Sequence, residues 1–219
     1  RLEKSLGVRY FGMPAGGKNR DGIAYVRFPE WYFCPKCRRF QPLSKWIAEY
    51  NKKVKEKDRA NNRNMSRKLY CPKDRIELVV ARIVTVCGRG HINDFPWVKW
   101  THAKNRGGPK QVCANPQLTF TTSPVSSEGL DGLSLKCTAC NASATLKDAF
   151  NDGEFERLDE KTENKYDFTC EGRHPWKNQK DACPCYPKVL QRGSSSVYFP
   201  VTASSLVIPP FSDIINKRI

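Results

Sequence analysis

Ten cysteines constrain what this 219-residue chain can fold into, because six of them come in close pairs. Cys34-Pro-Lys-Cys37 and Cys137-Thr-Ala-Cys140 are CxxC turns, Cys183-Pro-Cys185 is tighter, and Cys71, Cys87, Cys113 and Cys170 stand apart. A CxxC turn aims two thiolates at one point, and two such points separated by a dozen or more residues complete a tetrahedron around Zn(II). An even cysteine count also permits disulfides. Against that reading, CxxC pairs are poor long-range cross-links, and the N-terminus shows no basic-then-apolar signal segment. Metal spacing and reduced thiols point to the cytoplasm. A thiol redox enzyme is the third reading, since Cys34-Pro-Lys-Cys37 resembles the CPxC of oxidoreductases. It requires a thioredoxin-like βαβ unit that the sequence does not present.

The N-terminal zinc site is expected to use Cys34, Cys37 and Cys71. In Cys71-Pro-Lys-Asp74 an aspartate stands where a second CxxC would have cysteine, so Asp74 is the expected fourth ligand, with Cys87 and His91 in reserve. The C-terminal site is expected from Cys137, Cys140, Cys170 and Cys183, with Cys183 preferred to Cys185 for the shorter loop from Cys170. Cys87, His91, His102 and Cys113 can by ligand type form a third site. The blander reading is favoured: a cysteine ending a buried strand packs as a small apolar residue, and His91 beside Asp94 is a satisfied turn residue. Two structural zinc sites are therefore expected, with a third open.

A chain of this length buries one large core or two small ones, and zinc offsets a modest apolar content of 39%. No run of about 18 apolar residues is present, which excludes a membrane-spanning helix. Short strands are predicted over 23–29, 117–122, 133–136 and 196–208, and a largely buried strand over 76–86. Helices are predicted over 44–57, from the spacing of Trp46, Ile47, Tyr50 and Val54, and over 143–150. Asp94 is placed to cap a short helix carrying Trp97 and Trp100, and 151–167 reads as an acidic surface excursion. The expectation is a strand-rich, irregular α+β chain with two zinc-knuckle modules, 1–112 and 113–219.

Lys and Arg outnumber Asp and Glu by 38 to 22, a net charge of +16. The charge is clustered: between Lys36 and Lys68 twelve basic side chains face only Glu49, Glu56 and Asp58. Such clustering is the footprint of a nucleic-acid partner. The expected contacts are Lys52, Lys53, Lys55, Lys57, Arg63 and Arg67 in one arm and Lys99, Lys104, Arg106 and Lys110 in a second. Trp97 and Trp100, beside Lys99, are candidate stacking platforms for bases. The competing reading is a protein-interaction scaffold whose basic face docks an acidic groove. Catalysis is not expected, because GxSxG, HExxH and P-loop patterns are absent and three histidines leave little for a hydrolytic metal centre.

Four strings carry a family resemblance. Arg27-Phe-Pro-Glu-Trp-Tyr-Phe-Cys34-Pro-Lys-Cys37 and Cys87-Gly-Arg-Gly-His91-Ile-Asn-Asp94-Phe-Pro-Trp97 are followed by Leu190-Gln-Arg-Gly-Ser-Ser-Ser-Val-Tyr-Phe-Pro200 and Ser204-Ser-Leu-Val-Ile-Pro-Pro210. In this order they resemble the DrmB family of the DISARM anti-phage defence system. The resemblance implies a cytoplasmic, zinc-containing subunit of a hetero-complex, working beside a DrmA-like helicase on incoming phage DNA, with the chemistry on the partner. Because DrmB-like proteins continue into a long C-terminal region, it implies the N-terminal zinc-binding part or a short or split relative. Asp74 departs from the cysteine that the family pattern leads one to expect.

Overall fold

The computed structural model describes residues 26–53, 69–122, 132–163, 165–177 and 179–197. Two antiparallel sheets and three helices make up these residues, which is the strand-rich α+β architecture expected. The strands are β1 (Trp31–Phe33), β2 (Arg39–Pro42), β3 (Val79–Val80), β4 (Ile83–Val86), β5 (Ile92–Asp94), β6 (Leu118–Thr122), β7 (Leu133–Cys137), β8 (Ser143–Thr145) and β9 (Lys188–Gln191). The helices are α1 (Leu43–Lys53), α2 (Trp97–Ala103) and α3 (Glu154–Lys161). The larger sheet runs β3-β1-β2-β6-β7-β8 and the smaller β5-β4-β9. β2 pairs with β6 and β4 with β9, so both sheets draw strands from either side of residue 112.

Several elements differ from their sequence-based expectation, each for a local reason. The single strand expected over 76–86 is two: β3 closes the edge of the large sheet, the chain bends at Ala81 and Arg82, and β4 becomes the centre of the small sheet. The alternation there is partner-specific and looks continuous only in one dimension. The helix expected over 143–150 is instead β8 followed by turns, because Ser143 to Thr145 pair with Ser134 to Lys136. Within 151–167, expected as a surface excursion, α3 forms and buries Phe155 and Leu158 under its acidic face. Asp94 does not cap α2: the cap position is Pro96, without a side-chain bond, and Asp94 Oδ1 accepts the Glu30 backbone N–H at 2.9 Å. Residues 26–29 are not strand, α1 begins one residue before its expected 44–57 span, and 54–57 and most of 196–208 lie outside the described residues.

An aromatic core joins the sheets to the helices. Phe40 of β2 meets the Trp97 ring edge-on at 4.9 Å, Phe95 lies 4.7 Å from Trp97, and Phe155 stacks on Phe168 at 5.0 Å. Trp97 and Trp100 are 1% and 0% exposed, so they brace the core and cannot stack on bases. The Trp100 indole N–H donates to Thr145 O at 2.9 Å, locking α2 to β8. A smaller cluster packs Trp46 of α1 against Tyr32, Cys34, Cys71 and Leu78, with the Trp46 indole N–H donating to Tyr32 O at 3.1 Å.

Two contrasting truncations check this packing by denaturant unfolding. Phe40→Ala, deep in the aromatic core, is expected to cost about 3–5 kcal/mol. Trp176→Ala, at a side chain 57% exposed, is expected to stay within about 0.5 kcal/mol of the parent.

Candidate metal centres

Three tight turns share one backbone form. In each, the first cysteine donates its N–H to the carbonyl five residues on and accepts the N–H of the residue four on. The pairs are Cys34 with Arg39 and Arg38 (3.0 and 2.9 Å), Cys71 with Ile76 and Arg75 (2.8 and 2.9 Å), and Cys137 with Ala142 and Asn141 (2.8 and 2.8 Å). The residue after the last ligand position is left-handed in all three: Arg38 (φ 63°), Arg75 (φ 56°) and Asn141 (φ 59°). That reversal turns backbone N–H groups inward toward sulfur, as at Cys37 N–H to Cys34 Sγ, 3.5 Å. Asn adopts the left-handed region readily, whereas arginine does so at a cost that the rest of the turn must offset. Cys71-Pro-Lys-Asp74 is therefore a metal knuckle in backbone as much as the two CxxC turns are, with a carboxylate in the last place.

The first group is Cys34, Cys37, Cys71 and Asp74, whose donor atoms lie within 4.8 Å of one another. Asp74 Oδ2 is 3.2 Å from Cys34 Sγ and 3.4 Å from Cys71 Sγ, and the sulfurs of Cys37 and Cys71 are 3.8 Å apart. The structure brings together here the four residues that sequence spacing singled out. No helix begins at this CxxC: it leads from β1 into β2, so the thioredoxin-like setting that redox chemistry needs is not what surrounds it.

The other ligands group differently from expectation. Cys137 and Cys140 do not meet Cys170 and Cys183. They converge with His102 of α2 and with Cys113, which lies just ahead of β6. His102 Nε2 is 3.3 Å from Cys140 Sγ and 3.8 Å from Cys113 Sγ, and Cys113 and Cys137 are 3.6 Å apart. The physical reason is topological: β6 pairs with β7, bringing the segment before β6 to the end of β7, and α2 packs across β8. Cys170 and Cys183 instead join Cys87 and His91 at the end of the β4–β5 hairpin. His91 Nδ1 is 3.3 Å from Cys87 Sγ and 3.6 Å from Cys170 Sγ, with Cys87 and Cys183 sulfurs 3.9 Å apart. Cys185 is not one of these donors; its carbonyl accepts the Cys170 N–H at 2.9 Å.

Both histidines are arranged as metal ligands are. His102 Nδ1 lies 2.7 Å from Val98 O, one turn back on α2, which fixes the proton there and leaves Nε2 with a lone pair facing sulfur. His91 presents Nδ1 to the thiols while its Nε2 faces Asp181 Oδ2 at 3.4 Å, and the same oxygen is 3.5 Å from His174 Nε2. A histidine with one nitrogen among thiols and the other held by an oxygen acceptor is the usual second-sphere pattern around a metal. Gly172 makes the approach of Asp181 feasible: a Cβ there would sit 1.6 Å from Asp181 O.

Charge supplies an independent test of fit. Burial pushes the Cys34 and Cys170 thiols up to about 12 and Cys113 up to about 11. Cys71, Cys137 and Cys183 are also penalised by burial, yet end below the ordinary thiol value because backbone N–H groups and neighbouring side chains stabilise their thiolates. Each group thus sets one thiol displaced downward beside one displaced upward. A divalent cation would supply the missing counter-charge, so all three donor sets suit one.

Of the residues expected to contact nucleic acid, Lys55, Lys57, Arg63 and Arg67 lie outside the described residues, as does the Lys53 side chain. Lys104 is committed internally, pairing with Glu154 at 2.9 Å and Asp148 at 3.5 Å and lying 5.5 Å over the Trp100 ring. Lys99 donates to Asp167 O at 2.6 Å, and exposed Lys110 to Cys140 O at 3.2 Å. Arg106 and Lys52 are exposed.

Cys113→Ser and Cys170→Ser should each lower the metal content of the purified chain by about one equivalent, independently of the other. A single shared C-terminal site would instead leave the Cys113 variant at full metal content.

The model of a family described as a domain of unknown function (DUF8724) matches residues 1–199. The DISARM protein DrmB of Bacillus paralicheniformis is 32% identical over 215 residues, covering 95% of this chain. The chain spans 32% of that relative's length. Among the described residues, no helix is long and apolar enough to cross a membrane. With the family model covering nearly the whole sequence, the chain belongs to the DUF8724 family, and it is similar to DrmB over the part of that protein it spans.

Proposed function

We propose that this chain is a zinc-stapled, non-catalytic component of a DISARM-type anti-phage defence assembly, associating with DNA and with a helicase partner in the cytoplasm. The observation that carries the zinc assignment is the pair of histidines, His102 and His91, each with one ring nitrogen among thiols and the other facing an oxygen. Donor sets of three sulfurs plus nitrogen, or three sulfurs plus carboxylate, suit Zn(II) as four-coordinate structural sites with no open position. Such sites hold a fold together and leave chemistry to another chain. The defence role is supported by the likeness to DrmB, and the DNA association by a net charge of +16.

Zinc here would act as long-range cross-links. The Cys87–His91 hairpin would be tied to Cys170 and Cys183, and α2 to the β7–β8 turn, reinforcing the pairing of β4 with β9 and the packing of α2 on β8. Binding of a structural zinc is worth on the order of 10 kcal/mol in small domains, so its removal should unfold these segments.

The reading is tested by mixing the chain with the helicase of its own defence locus, before and after chelation. Retention of the zinc-loaded chain and loss of the stripped chain is the expected result. Equal retention of both, or of neither, would contradict it. DNA retained by the isolated chain distinguishes a nucleic-acid component from a pure scaffold.

A further inference from the structure

Between α1 and the segment leading into β6 lies an open groove of about 390 Å³. Arg39, Lys45 and Lys52 are its cations and Glu49 its one anion. Glu49 is already engaged, accepting from Arg39 at 2.9 Å and from the Gln41 amide at 2.8 Å. Lys45 and Lys52 are exposed, and neither makes an ion pair among the described residues. The remaining polar walls are the amides of Asn115 and Gln117 and the hydroxyls of Thr119 and Thr138.

We propose that this groove holds the phosphodiester backbone of a nucleic-acid strand, gripped by Lys45 and Lys52 and oriented by the amides. The inference rests on the nucleic-acid association proposed above and gives it a place. Lys45 and Lys52 are seven residues apart on one helix, hence about 10.5 Å along its axis, far enough apart to meet two different phosphates. No aromatic ring lines the groove, so bases have nothing to stack on and contact falls on phosphate and sugar. The same lack of large apolar anchors argues against a protein segment as occupant, since protein interfaces concentrate their energy in such anchors.

Both walls are pinned by metal knuckles. Arg39 follows the Cys34–Cys37 turn, with its guanidinium 3.9 Å from Cys71 Sγ. Thr138 belongs to the Cys137–Cys140 turn and donates its N–H to Gln117 O at 2.8 Å. The first two metal groups therefore set the groove's width before any strand arrives.

The test is the salt dependence of binding to a mixed-sequence oligonucleotide, measured with the zinc-loaded full chain. In Lys45→Ala/Lys52→Ala the slope of log K against log salt should become shallower by about 1.4 on single strands or about 1.8 on duplex, two phosphate contacts' worth. A charge-matched control, Lys161→Ala/Lys165→Ala, replaces two exposed lysines that do not line the groove and should leave the slope unchanged. Binding with an unaltered slope in the Lys45/Lys52 variant would overturn the groove while leaving DNA association intact. No binding by the parent chain would overturn both. Polyglutamate displacing the oligonucleotide equally well at matched charge would reassign the groove to an acidic protein segment.

Discussion

The structure turns on crowding sulfur in places where it cannot remain uncompensated. Three thiols and one nitrogen or carboxylate within a few ångströms form a self-repelling cluster once ionised, and a cluster of stranded donors when not. The opposed displacement of neighbouring thiols, Cys34 up and Cys71 down, Cys113 up and Cys137 down, Cys170 up and Cys183 down, expresses that frustration in each group. A divalent cation held by these donors would resolve it and would tie together segments far apart in sequence. The sheets supply register, the aromatic core supplies burial, and backbone hydrogen bonds shape the turns that carry the donors.

This arrangement explains how a chain with short strands and modest apolar content builds two sheets. β3 has two residues, and β1, β5 and β8 have three each, too few to hold register by hydrogen bonds alone. Each is adjacent to a ligand turn or to a strand that ends in one. Phe40, Trp97 and Trp100 then fill the space between the turns, which is why the two tryptophans that read as a binding surface in sequence are buried. The groove beside α1 inherits its walls from two of the same turns, linking metal loading to the proposed contact with a nucleic-acid strand.

Much of the first metal group was legible in the sequence, including its aspartate, because Cys71-Pro-Lys-Asp74 keeps the spacing of a CxxC and the turn depends on backbone geometry that spacing alone selects. The fold class was legible too, from β-branched runs punctuated by turns. The C-terminal grouping was not. Spacing along the chain pairs CxxC with the next cysteines, whereas the partners of Cys137 and Cys140 are set by β6 pairing with β7 and by α2 crossing β8. His102 gave one usable signal: it follows Val98 by one helical turn, a position from which a ring nitrogen can bond the helix's own carbonyl. His91, read as a satisfied turn residue, has one nitrogen facing Asp181 and the other among the thiols of Cys87 and Cys170. The break between β3 and β4 and the burial of α3 depend on tertiary partners that no local pattern encodes.

The donors form three groups in the pairing described, and the proposed function has each of them hold one zinc. Anomalous diffraction collected at the zinc edge tests it directly. Three peaks are predicted: one among Cys34, Cys37, Cys71 and Asp74, one among His102, Cys113, Cys137 and Cys140, and one among Cys87, His91, Cys170 and Cys183. A peak shared by Cys137, Cys140, Cys170 and Cys183, or sulfur pairs at bonding distance with no metal peak, would contradict it.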